Sequence, residues 1–395
     1  MSRWLKLAPL ALLALAAPAV PQVATPLSVS APSPLIDPAT GVTAPIALML
    51  DLGSGRQLYA RGERRRFLPA SLTKIMTAWV AFELIGVGRL QPRQRFTMSD
   101  DAFAKWRRVG STMFLARGQQ VTVDELLDGI MTVSANDGCI VLAEGASGSV
   151  EGFVALMNAE ARRLGMTDSH FGTPNGWPDE GATYTSARDL AILTRAMITR
   201  HPALYRRYVG RTGLVFNGIT QNNHVPLLGE MAGVDGVKTG FTNESGFGFV
   251  GSAVRGGRRL VMVVAGYDRP RLRTSESRAF LDWGFGAWEA QRLFGGGATV
   301  GEAQVQGGSG RSVALTSPIA AFVTVPKGSP VRYRLALRYQ GPVRAPIRAG
   351  DAVGELVVEV DGQQPATIPL VAAQSVAVAG PIARLRNGVL AAVGL

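Results

Sequence analysis

Residues 69–74, Pro69-Ala70-Ser71-Leu72-Thr73-Lys74, open a run in which Leu72, Ile75, Met76, Trp79 and Val80 recur at helical spacing. Proline at the first helical position gives up no backbone hydrogen bond, so a helix is predicted to start at Pro69, with Ser71 and Lys74 in its opening turn. Residues three apart share a helical face, which puts the serine hydroxyl within reach of the lysine amine. A serine is a poor nucleophile until a neighbouring base takes its proton. Lysine becomes such a base once burial and a second cation lower its pKa. The helix N-terminus also favours the negative charge that develops in acyl transfer. Taken alone, the spacing describes a surface serine beside a solvated lysine equally well.

Two further tripeptides weigh against that bland interpretation. Ser134-Ala135-Asn136 follows an apolar helical run ending near Met131, and Lys238-Thr239-Gly240 leads into paired strands. Of the 41 basic residues only five are lysines, Lys6, Lys74, Lys105, Lys238 and Lys327. Where charge alone suffices this sequence uses arginine, so a retained lysine points to a task such as releasing a proton. Two of the five lie inside these motifs.

Ser-x-x-Lys, Ser-x-Asn and Lys-Thr-Gly in this order resemble the three motifs of penicillin-binding proteins and serine β-lactamases. More narrowly, the chain is similar to the low-molecular-mass D-alanyl-D-alanine carboxypeptidases. The similarity is carried by residues 69–74, Ser134-Ala135-Asn136-Asp137, Tyr184-Thr185-Ser186-Ala187-Arg188-Asp189, Asp235-Gly236-Val237-Lys238-Thr239-Gly240 and Ala345-Pro346-Ile347-Arg348-Ala349-Gly350-Asp351. It runs from about residue 45 to the C-terminus. It implies an α/β fold, a β-lactamase/transpeptidase-like mixed domain (antiparallel sheet plus helical subdomain) with a small C-terminal all-β domain.

The resemblance also implies roles. Ser71 attacks the carbonyl between two D-alanines, Lys74 accepts its proton, and Ser134 relays a proton to the departing D-alanine. Asn136 holds the substrate amide, Lys238 steadies the substrate and keeps Lys74 partly neutral, and Thr239 contacts the terminal carboxylate. Gly240 lets a substrate strand approach the backbone, and the backbone N–H groups of Ser71 and Phe241 form an oxyanion hole. Arg273 either lies near the substrate carboxylate or is a solvated charge at a helix start. Peptidoglycan stem peptides are the implied substrates and β-lactam antibiotics the implied covalent inhibitors, with no cofactor and no metal. Some relatives carry a basic residue where Thr220 stands, which leaves local substrate contacts open.

Around these motifs the chain divides by composition. Arg3 and Lys6 precede an apolar stretch from Leu7 to Ala17 and the small residues Ala17-Pro18-Ala19, a pattern expected of a signal peptide over residues 1–19 or of an uncleaved anchor. Residues 20–44 are Pro-rich and read as an extended segment. The catalytic domain is placed at residues 45–294. It starts with a hairpin over 46–61, continues through helices at 123–131, 152–164 and 186–199, and reaches strands at 246–254 and 259–265. A helix from 275 to 293 is expected next, with Gly295-Gly296-Gly297 as a linker to an all-β domain at 299–378. Residues 380–395 place Ile382, Leu385, Val389 and Val393 on one helical face, as either a peripheral membrane anchor or a frayed tail.

Composition narrows the function further. With one cysteine, Cys139, no intrachain disulfide forms, and the three histidines lack metal-ligand spacing. The formal charge of +12 on a chain expected to be exported to the periplasm meets anionic lipid and wall polymers, with no nucleic acid. Gly246-Phe247-Gly248-Phe249-Val250-Gly251 matches the dinucleotide fingerprint, but strand-like residues follow it where a helix is needed. A serine β-lactamase needs a deacylating glutamate in a Glu-x-x-Leu-Asn segment, and none lies between the second and third motifs. A D-alanyl endopeptidase and a catalytically silent wall-binding protein are the remaining alternatives.

Overall fold

A computed structural model describes residues 42–361 and 363–380; the expected signal peptide and all but the first residue of the 380–395 segment lie outside them. The hairpin near the N-terminus forms strands Ile46–Asp51 and Arg56–Arg61. They belong to a five-stranded antiparallel sheet ordered Arg56–Arg61, Ile46–Asp51, Arg258–Tyr267, Gly246–Arg255 and Val234–Thr242. The two-residue period of a strand sends alternate side chains to opposite faces. Leu48, Leu50, Val261 and Val263 therefore enter the core beneath the helical block, while Ala47, Met49, Leu260 and Met262 pack with Phe280 and Leu281 behind the sheet.

The helical block contains Lys74–Gly86, Val123–Thr132, Asn136–Ser147, Val150–Leu164 and Ala187–Arg200. Hydroxyl caps fix several starts. Thr122 and Glu125 form a reciprocal capping box, and Ser149 and Ser186 accept from the backbone N–H groups of Gly152 and Asp189. Helix Asn136–Ser147 escapes the sequence reading because Asn136 through Ala143 are all buried, leaving no polar face to give an amphipathic period.

Three local expectations need correction. The helix predicted from Pro69 begins as a tighter 3-10 turn, Ala70–Thr73, and becomes α-helical only at Lys74. The helix expected over 275–293 spans Pro270–Gly286, and Trp288–Phe294 is a strand paired with Ala321–Pro326. Gly295-Gly296-Gly297 therefore connects two strands of the β-rich part. The fingerprint at Gly246 lies within strand Gly246–Arg255, hydrogen-bonded on both sides.

The β-rich C-terminal domain adds a six-stranded sheet ordered Tyr333–Tyr339, Ala352–Val360, Ala366–Ala372, Ser312–Thr316, Thr299–Gln306 and Val343–Arg344. Val313, Leu315, Val323, Leu356, Val358 and Leu370 fill its core. Asp51 ties this domain to the catalytic sheet. Its fully buried carboxylate accepts from Arg258 Nε at 2.6 Å, Thr324 Oγ1 at 2.9 Å and the Gly53 N–H at 3.0 Å. Beside it, the Phe322 N–H donates to the Gly53 carbonyl at 2.8 Å. Removing one member of a buried ion pair strands the other charge. Asp51→Ala is therefore expected to cost about 3–5 kcal/mol in chemical denaturation; a loss under about 1 kcal/mol would show that the junction does not depend on this carboxylate.

Candidate functional site

The three motifs converge on one cleft of about 710 Å³, lined among others by Ser71, Ser134, Asn136, Thr239, Gly240, Phe241 and Arg273. Each comes from a different kind of local structure. Ser71 sits in the 3-10 turn, directly after Ala70, whose φ of 49° is in the left-handed region that non-glycine residues rarely occupy. The Asn175-Gly176 loop packs against this residue. A Cβ on Gly176, itself at φ +72°, would lie 1.8 Å from the Ala70 carbonyl oxygen, so the contact requires glycine.

Ser134 occupies the corner between helices Val123–Thr132 and Asn136–Ser147, again with positive φ, 62°. Hydrogen bonds from several sides hold the corner. Asp137 accepts from the N–H groups of Met113 and Leu115 at 3.0 and 3.1 Å, and Asn136 Nδ2 donates to the Val109 carbonyl at 3.0 Å. The Asn136 N–H donates to the Ser111 carbonyl at 2.7 Å.

Strand Val234–Thr242, at the border of the sheet, supplies the remaining residues. Strand alternation puts Lys238 and Gly240 on one face and Thr239 and Phe241 on the other. The first pair faces the Ser71 turn: a Cβ on Gly240 would stand 2.6 Å from the Pro69 carbonyl oxygen. On the other face, Phe241 stacks on Phe247 with centroids 4.1 Å apart, and the Arg273 guanidinium lies 5.7 Å from the Phe247 ring. Arg273 Nε is buried without a hydrogen-bond partner among the described residues.

At the centre, Lys74 is fully buried. Its Nζ lies 2.9 Å from Ser71 Oγ and donates to Asn136 Oδ1 at 2.8 Å and to the Asn175 carbonyl at 2.6 Å. Burial pushes its pKa down to about 8, against the opposing pull of Cys139 and Asp137. Desolvation is thus the main reason this amine can lose its proton, the first of the two causes that the sequence reading named. Lys238 is itself buried, with Nζ donating to the Thr239 carbonyl at 3.0 Å, and its pKa falls through burial and then through the nearness of Lys74. Two ammonium groups so placed disfavour being charged together. The Ser134 hydroxyl is buried with no partner among the described residues, although it lines the cleft. Cys139, also beside Lys74, has its thiol pushed up to about 12 by burial and stays neutral.

The structure also brings in residues that the sequence reading did not select. The Asn175 carbonyl is a direct partner of Lys74, and Trp177 lines the cleft; neither carries a titratable group or a recognisable motif. The segment around Thr220 contributes a basic group after all, but at His224, while Thr220 lies in exposed strand Ile219–Asn222. Partial burial, then the cations Lys238, Lys74 and Arg273, push His224 down to about 4, so it is neutral at pH 7.

Residues 30–269 match the family model for D-alanyl-D-alanine carboxypeptidase, and residues 288–378 match that for the penicillin-binding protein 5 C-terminal domain. The D-alanyl-D-alanine carboxypeptidase DacD of Escherichia coli is 36% identical over 345 residues, covering 86% of this chain and 88% of the relative. Among solved structures, penicillin-binding protein 5 from Haemophilus influenzae aligns with TM-score 0.68 at 33% identity, over 85% of this chain and 98% of that one. Penicillin-binding protein D2 from Listeria monocytogenes, in its ampicillin-bound form, aligns with TM-score 0.55 at 26% identity, over 61% and 97%.

Proposed function

The chain belongs to the D-alanyl-D-alanine carboxypeptidase family, and from that premise we propose that it is a serine hydrolase that removes the terminal D-alanine of peptidoglycan stem peptides through an ester on Ser71. The observation that carries this reading is the environment of the Lys74 amine. An ammonium has three protons to donate; a neutral amine has two and a lone pair. Asn136 Oδ1 and the Asn175 carbonyl can only accept, so in the neutral form they take both N–H groups and turn the lone pair toward Ser71 Oγ. Lys74 then takes the Ser71 proton as Oγ attacks the scissile carbonyl.

The backbone N–H groups of Ser71 and Phe241 stabilise the resulting oxyanion. Ser134, whose hydroxyl has no other partner among the described residues, passes a proton to the departing amine. Asn136 holds the substrate amide, and Thr239 and Arg273 receive the terminal carboxylate. The bare backbone at Gly240 lets the substrate lie against the strand, and Lys238 supplies positive potential beneath it. Water then hydrolyses the ester. β-Lactams present a strained amide to the same serine, which agrees with the ampicillin-bound Listeria relative. This chemistry belongs outside the cytoplasm, with residues 380–395 as a peripheral membrane contact. Deletion of residues 381–395 is then expected to move the protein from the membrane fraction to the soluble one; an unchanged distribution rejects the contact.

Incubation with a pentapeptide ending in D-Ala-D-Ala is expected to release free D-alanine, and Ser71→Ala is expected to abolish both release and covalent labelling by a fluorescent penicillin. Labelling without D-alanine release would turn the reading toward the endopeptidase, and rapid label loss with antibiotic hydrolysis toward the β-lactamase.

Lys74→Arg keeps the charge but removes the base, so penicillin acylation is expected to fall at least about a hundredfold. In the native protein the neutral fraction of Lys74 grows as pH rises through about 8, so acylation is expected to increase about tenfold between roughly pH 7 and pH 9. A flat profile, or near-normal labelling of Lys74→Arg, would remove Lys74 from the proton-transfer role.

A further inference from the structure

Among the residues lining the cleft only one is an acid, Glu244. It sits in the tight turn joining strand Val234–Thr242 to strand Gly246–Arg255, just past the Lys238-Thr239-Gly240 motif. The turn is held from within. Thr242 N–H donates to Ser245 Oγ and Ser245 N–H to Thr242 Oγ1, both at 3.1 Å, and the two hydroxyl oxygens are 2.9 Å apart. Glu244 is exposed and has no ion pair among the described residues. Of the other ionisable groups that line the cleft, Arg273 on its wall is a cation suited to the carboxylate end of a substrate.

An extended peptide added to the border strand Val234–Thr242 in antiparallel sense has a fixed polarity. With its C-terminal residue opposite Thr239, earlier residues run toward Thr242. At about 3.3 Å per residue, the residue preceding the two D-alanines lies about 7 Å from the C-terminal one, opposite Phe241. A long side chain there reaches the turn that carries Glu244.

We propose that Glu244 is a specificity-determining residue that selects stem peptides bearing a free ammonium on the side chain immediately before D-Ala-D-Ala. The inference rests on the carboxypeptidase reading above and adds the charge of the preferred substrate. An acid in a solvent-open turn attracts an ammonium modestly, so the expected selectivity is a few-fold and salt-dependent.

The test compares two peptides ending in D-Ala-D-Ala that are identical except that the preceding lysine amine is free in one and acetylated in the other. D-Alanine release by the native protein is expected to favour the free amine roughly 2–5-fold in kcat/KM, less in high salt. Glu244→Gln is expected to bring that ratio to about one, and Glu244→Lys to invert it. A native ratio of about one, or a preference that survives both substitutions, overturns the proposal. Failure to release D-alanine from either peptide, with Ser71 still labelled by penicillin, instead overturns the carboxypeptidase reading and this inference with it.

Discussion

The site depends on an amine held out of water. An exposed Lys74 would stay protonated near neutrality and could only donate to Ser71. Complete burial brings its pKa to about 8, and two backbone-supported acceptors decide which way the remaining lone pair points. That burial is the combined work of distant segments. The 3-10 turn presents the serine, the loop at Asn175 closes over the amine, and the corner at Asn136 closes it from the helical side. Lys238 lies buried nearby, where the two amines oppose each other's protonation. Each segment is held in turn by interactions that have nothing to do with the reaction, such as the Asp137 carboxylate gripping the Met113 and Leu115 backbone.

Close approach is the second constraint. Strand Val234–Thr242 can lie beside the Ser71 turn because Gly240 offers no side chain toward Pro69, and the Asn175 loop can reach Lys74 because Gly176 fits under the Ala70 carbonyl. Both glycines have their reason in what the neighbouring backbone does. Gly240 shows why the Lys-Thr-Gly motif carries so much information: it joins chemical groups to the bare backbone that lets the strand lie beside the Ser71 turn.

Much of this was legible in the sequence, for identifiable reasons. Ser71, Ser134, Asn136, Thr239, Gly240, Phe241 and Arg273, nominated from motifs and resemblance, line one cleft, and Lys74 and Lys238, nominated in the same way, are buried beside it. The hairpin at 46–61 and the strands at 246–254 and 259–265 followed from alternation and turn residues. What escaped had no local signature. Helix Asn136–Ser147 is buried on every side from Asn136 to Ala143, so that part of its sequence has no period to detect. Asn175 acts through its carbonyl, which every residue possesses. Trp288–Phe294 continues the apolar pattern of the helix before it, and only pairing with Ala321–Pro326 makes it a strand.

The strand registers place the two ends of the catalytic sheet under different demands. Asp51, Leu260 and Ala253 stand in one transverse row that continues to Val234, at the end where Thr324 and Phe322 dock. Phe241, Phe247 and Tyr267 form the row at the opposite end, beside the cleft. The β-rich domain therefore grips one corner of a stiff plate while chemistry proceeds at the diagonal corner. A contact made on the β-rich domain thus reaches the catalytic sheet at the end opposite the row that flanks the cleft.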